Sequence, residues 1–134
     1  MKYWMQPANP KIFKITELFQ KRDVVDWRQF RNYEIGDIVY LYIARPISQV
    51  VFKAEVIDIN VKAENTIADK EFWVNPKDFD TSINLNRFYR MKLLAKNTTE
   101  LLKLNDLCEN GLKAAPQGSL IIKEPLLSYI QGVF

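Results

Sequence analysis

"EIGDIVYLYIARPISQVVFKAEVIDINV", residues 34 to 61, decides how the rest of the chain is read. Gly36-Asp37 is a breaker pair, and the run Ile38 to Ile43 after it is rich in β-branched and aromatic side chains, so it reads as a buried strand. Residues 49 to 61 form a second, longer β segment. Period-two alternation puts Val51, Lys53, Glu55, Ile57 and Ile59 on one side and Val50, Phe52, Ala54, Val56 and Asp58 on the other. The connection Arg45-Pro46-Ile47-Ser48 is short enough to make the two segments a hairpin.

Toward the N-terminus, "KYWMQ" alternates Tyr3 and Met5 with Lys2, Trp4 and Gln6, a short strand that Pro7 and Pro10 end because they lack backbone donors. Asn9-Pro10 has the form of a helix cap with proline at the first helical position. Ile12, Ile15, Leu18 and Phe19 then predict a helix to about Arg22, with Thr16-Glu17 offering a later start. Toward the C-terminus, "EFWV" (71–74) fits a strand or a helix edge, and residues 75 to 86 read as polar and irregular. "RFYRMKLLAK" (87–96) alternates as a strand. "TTELLKLNDLCENG" (98–111) predicts a helix capped at Thr98 or Thr99 and stopped near Gly111. "AAPQGS" is a loop, and "EPLLSYIQGVF" a closing helix with Pro125 in its first turn. Five or six strands with three helices, in an order that does not alternate, predict one α+β domain over residues 1–134, built on a strongly curved mixed sheet or small β-barrel.

Composition narrows the chemistry. The chain has 134 residues and no histidine, which removes Ser-His-Asp, Cys-His and His-containing zinc sites. Its four glycines stand far apart, so no phosphate-cradling loop is present. The one cysteine, Cys108, forms no internal disulfide and reads as a small apolar residue on a helix, so neither a metal nor a cofactor is expected. No stretch approaches the roughly 20 apolar residues that span a bilayer, and Met1 to Pro10 carries no cleavable apolar region, which points to a cytoplasmic protein. The net charge of +3 is compatible with nucleic acid without demanding it. The carboxylates Glu55, Asp58, Asp78 and Asp80 show no paired-acid spacing.

Binding must then rest on aromatic and amide side chains. Trp73, between Phe72 and Val74, reads as core; Trp4 either lines a cleft or covers a helix. Trp27-Arg28-Gln29, in the connection ahead of Gly36, joins a stacking surface to a guanidinium fork and a primary amide, the groups that hold and read a base, although such a triplet also arises by chance.

"YWMQPANPKIF", "VVDWRQFRNYEIGDIVYLYI" and "PISQVVFKAEVID" together resemble the EVE domain, a member of the PUA-like superfamily that also contains the YTH and ASCH domains. The matching features are Trp27-Arg28-Gln29, the strand Gly36 to Tyr42, and Phe52-Lys53 with Val56. The likeness covers roughly residues 2 to 60 well and the C-terminal "GLKAAPQGSLIIKEPLLSYI" more loosely; Met5 departs from the commoner "YWL" form. The resemblance implies a PUA-like barrel with flanking helices and a pocket for a flipped, modified base in DNA or RNA. It makes Trp27 the stacking residue, Gln29 and Asn9 the readers of the base edge and Arg28 a phosphate or base contact. Gln117 would be a pocket wall, Trp4 a lesser contributor and Lys53 a contact to the nucleic-acid backbone. The expected function is therefore a non-enzymatic nucleic-acid binding module. The alternatives are an ASCH-like nucleoside-binding or hydrolytic protein, with Lys53 and Glu55 as its reacting pair, and a protein-interaction or antitoxin-like module.

Overall fold

The computed structural model describes residues 1–134. Its centre is a six-stranded mixed sheet: β1 (Tyr3–Ala8), β2 (Val24–Arg28), β3 (Ile38–Ile43), β4 (Gln49–Val61), β5 (Phe88–Lys96) and β6 (Leu120–Ile121), in the order β2-β5-β4-β3-β1-β6. β3 and β4 form the expected antiparallel hairpin, β5 extends it to an antiparallel meander, and β1 lies parallel to β3. Register shifts along β4, with Asn60 at a φ of 54°, bend the long strand and curve the sheet. The sheet does not close: β2 and β6 remain edges.

All six residues of β3 are buried, and their parity divides the interior. Val39, Leu41 and Ile43 face a core shared with Phe13, Leu18, Phe52 and Tyr89; Ile38, Tyr40 and Tyr42 face another with Met5, Leu107, Leu126 and Ile130. A central strand covered on both sides needs apolar residues at every position, which is what the run Ile38 to Ile43 supplies. Four helices flank the sheet: α1 (Ile15–Lys21), α2 (Pro76–Ser82), α3 (Leu104–Glu109) and α4 (Leu126–Val133). None is long and apolar enough to cross a membrane.

The local expectations need six corrections. Pro7 does not end β1, which pairs with β3 as far as Ala8. Cys108 is exposed on α3 rather than a small buried apolar residue. Asn9 caps a turn rather than a helix: its Oδ1 accepts from the Lys11 N–H at 3.0 Å, and α1 starts only at Ile15. The segment read as irregular contains α2, capped by Asn75, whose side chain accepts from the Lys77 N–H at 3.0 Å, with Pro76 at the first position. The threonine cap does not form, because the Thr99 hydroxyl is bonded to Asn97 Oδ1 in a turn and α3 begins at Leu104. Trp27 and Arg28 lie in a strand, β2, rather than a connection.

Candidate functional site

The residues of β2 turn a sheet edge into the wall of a cleft. Asp26, at its centre, is buried, which an isolated carboxylate would not tolerate. Arg90 of β5, directly opposite in the ladder, donates to it from Nε at 2.8 Å and from Nη2 at 3.1 Å, and the Ile67 N–H adds a third bond at 2.7 Å. The bond to Asp26 in turn raises the Arg90 pKa above its ordinary value. This fork pins both β2 and the β4–β5 connection, so Trp27, the next residue, is presented from a fixed strand.

Trp27 does not stand alone. Phe13 meets it edge-on at 5.4 Å between ring centroids and meets Trp73 edge-on at 5.1 Å; Trp73 in turn lies 6.2 Å from Phe79 of α2. The bridge between Phe13 and Trp73 fixes the two segments, with the Val74 N–H donating to the Ile12 carbonyl at 3.0 Å and the Lys14 N–H to that of Phe72 at 2.7 Å. The result is a cleft of about 570 Å³ between the end of β1, the edge strand β2, the β3–β4 connection, the α2 region and the loop at Ala115–Gln117. Large, mostly apolar concavities with a few convergent polar groups are where small ligands bind.

Of the residues singled out from the sequence, Asn9, Trp27, Arg28 and Gln117 line this one cleft, although they come from three different segments. The other three do not line it. Trp4 is buried, packs on Tyr33 at 4.6 Å and donates its indole N–H to Asp37 Oδ2 at 2.9 Å. Gln29 is also buried: its Oε1 accepts from the Asn60 N–H at 2.8 Å and its Nε2 donates to the Arg31 carbonyl at 3.0 Å, holding the bent end of β4. Lys53 lies in the middle of β4, opposite Tyr40 and Ala95. Glu55, its partner in the hydrolytic alternative, is on that strand too and outside the cleft.

Sequence reasoning missed Trp73, Phe79 and Asp69. Trp73, read as core, is only half-buried and exposes its ring to the cleft; its polar and charged neighbourhood after Val74 was the available signal. Asp69 accepts the Trp73 indole N–H at Oδ1, at 3.1 Å. Burial pushes the Asp69 carboxyl above the usual carboxylate range; the indole bond and Arg22 oppose this, and nearby Asp26 adds to it. At the mouth stand Lys11, Arg28 and Arg45, all exposed. The four ion pairs of the protein, Lys2–Glu34, Lys21–Glu71, Arg90–Asp26 and Lys103–Glu100, use none of these three cations. No cluster of metal-ligating side chains is gathered in the cleft or elsewhere.

Behind the cleft lies a buried polar chain. Gln6 Oε1 accepts from the hydroxyls of Tyr89 at 2.8 Å and Tyr33 at 3.3 Å, the two rings stack at 4.0 Å, and Tyr33 is 2.7 Å from the Ser119 hydroxyl. Burial raises the pKa of both tyrosines, that of Tyr89 strongly.

This architecture is the PUA-like α+β fold, in the form that ASCH proteins have. An ASCH protein from Zymomonas mobilis superposes with a TM-score of 0.72 at 15% identity, covering 98% of this chain and 95% of that one. A protein from Rhodopseudomonas palustris gives 0.67 at 13% identity, over 99% and 92%, and a hypothetical protein from Leishmania major gives 0.63 at 18%, over 98% and 93%. No family model and no curated protein matches the sequence. The structural likeness shows a fold shared with ASCH proteins, and not the EVE domain in particular.

Proposed function

We propose that the protein is a non-enzymatic nucleic-acid binding module whose cleft takes a single unstacked base, with a modified base in DNA or RNA as its target. The observation that carries this reading is the pair Trp27 and Trp73, both braced by Phe13 in one cleft, with Lys11, Arg28 and Arg45 unpaired at its mouth. Removing a base from its stack costs a few kcal/mol, and stacking on a tryptophan returns about 1–3 kcal/mol per base, so an indole together with polar contacts offsets the cost. The three cations supply the phosphate attraction that brings a strand to the cleft. Asn9 and Gln117, both in the lining of the cleft, provide amides for the base edge.

The test is a titration of single-stranded oligonucleotides, with and without modified bases, against wild type and Trp27→Ala. Binding by wild type that weakens at least tenfold in the variant supports the reading; equal binding by both proteins sinks it.

A second reading, an ASCH-like nucleoside-binding or hydrolytic protein, draws on the fold and on the acidic and hydroxyl side chains Asp69, Thr66 and Ser82 within the same cleft. Release of a product from modified nucleosides incubated with the wild type would move the assignment there.

A further inference from the structure

The polar groups of the cleft differ in what they have left to offer. Asp26 is spent on Arg90 and the Ile67 N–H. The Thr66 and Ser82 hydroxyls donate to the carbonyls of Ala63 and Phe79, both at 2.7 Å. Asp69 is different: Oδ1 receives the Trp73 indole N–H, and Oδ2 receives no hydrogen bond from another residue. That same indole bond ties the carboxylate to the edge of a ring that faces the cleft, so any base lying on Trp73 has its edge close to Asp69.

An ionised carboxylate only accepts hydrogen bonds. It rewards an N–H at the edge of a bound base and repels a carbonyl oxygen in the same place, in an enclosure where an unpaired polar group is costly. We infer that Asp69 selects the base: its Oδ2 accepts from an exocyclic amino group, so the cleft prefers an amino-bearing base such as cytosine to its carbonyl counterpart uracil. This rests on the reading that the cleft takes a nucleobase, and it adds the residue and the chemical group by which one base is chosen. Trp27 and the cations at the mouth contribute stacking and charge, which do not distinguish the two bases; Asp69 does.

Two single-stranded oligonucleotides, identical except for a central cytosine or uracil, provide the test, with affinities read by anisotropy of a terminal dye. Wild type is expected to prefer cytosine by about tenfold, the scale of one good base-edge contact. Asp69→Asn keeps an oxygen for the Trp73 indole and so turns its NH2, a donor, toward the base, which should abolish the cytosine preference or tip it toward uracil. Trp27→Ala should weaken both oligonucleotides alike and leave their ratio standing. Equal wild-type affinities, or an unchanged preference in Asp69→Asn, would overturn the selection by Asp69; if binding still depended on Trp27, the base-stacking reading would survive. Binding indifferent to Trp27 would overturn both. The wild-type ratio needs no variant, and the thermal midpoint of Asp69→Asn checks that the amide is folded.

Discussion

Asp37 ties the first strand to the turn before the third. Its Oδ1 accepts from the Lys2 N–H at 2.9 Å, and its Oδ2 from the Trp4 indole at 2.9 Å and the Glu34 N–H at 3.0 Å. Burial alone would push this carboxyl up; the Lys2 and Glu34 amides, the indole and the Lys2 charge together outweigh it and leave the pKa below the ordinary value. A depressed folded-state pKa adds stability that is complete above the unfolded value of about 3.9 and disappears as the pH falls through the folded one. Asp37→Asn should therefore cost about 2 kcal/mol at neutral pH, since amide replaces carboxylate as the acceptor of three bonds, and should lose less than wild type on acidification. Urea unfolding at pH 7 and pH 3 measures both. Asp69 has the opposite sign: its pKa is raised, so its contribution is present at low pH and is lost as the pH rises through the folded value. Of all this, the sequence shows only a Gly-Asp breaker. Two of the three donors to Asp37, the Lys2 N–H and the Trp4 indole, and the Asn60 N–H that holds Gln29 all come from neighbours more than twenty residues away in the chain.

At the scale of elements, the two Asn-Pro pairs carry the lesson. Asn9-Pro10 and Asn75-Pro76 have the same capping chemistry, yet only the second starts a helix. After Pro10 the chain is drawn aside by the bridge between Phe13 and Trp73, a contact no local pattern encodes; after Pro76 nothing competes. Replacing Asn75 by Ala should destabilise the protein by about 1 kcal/mol, and since α2 carries Phe79 into the cleft, ligand affinity should fall along with the melting temperature. Differential scanning calorimetry with and without an oligonucleotide would read both. The strand β2 was hidden for a related reason. Asp26 and Arg28 lower its β-propensity, and only the fork from Arg90 across the ladder makes a buried aspartate acceptable there. β3, with an unbroken apolar run, and β4 and β5, with alternating patterns, are legible because burial alone specifies them.

For the molecule as a whole, a net charge of +3 understates the field at the cleft. Lys11, Arg28 and Arg45 share its mouth and enter none of the four ion pairs; of the two carboxylates in the cleft, Asp26 is neutralised by Arg90 and Asp69 alone stands outside any ion pair. Neutralising Arg28 and Arg45 together should weaken binding to all oligonucleotides alike and reduce the slope of log affinity against log salt by about 1 to 2, as expected for single-stranded phosphate contacts. A slope unaltered across a salt series would remove these arginines from the binding surface. The fold class and four residues of the cleft could be read from one chain because strand patterning and a motif resemblance both point to them. Trp73, Asp69 and Phe79 could not, since the segment that holds them matches no motif and its shape is imposed by Phe13.

The place of β1 has a consequence for how the protein comes into being on the ribosome. The meander β3–β4–β5 joins neighbours in sequence and can pair as soon as it emerges. β1, made first, lies between β3 and β6, where Trp4 pairs with Ile121. Its outer side stays unpaired until Leu120 and Ile121 have been made, and the segment just before them brings Pro116 and Gln117 to the cleft. A nascent chain therefore pairs its central meander before its binding site forms, and a ligand meets a complete cleft only once the segment 115–121 has docked beside β1.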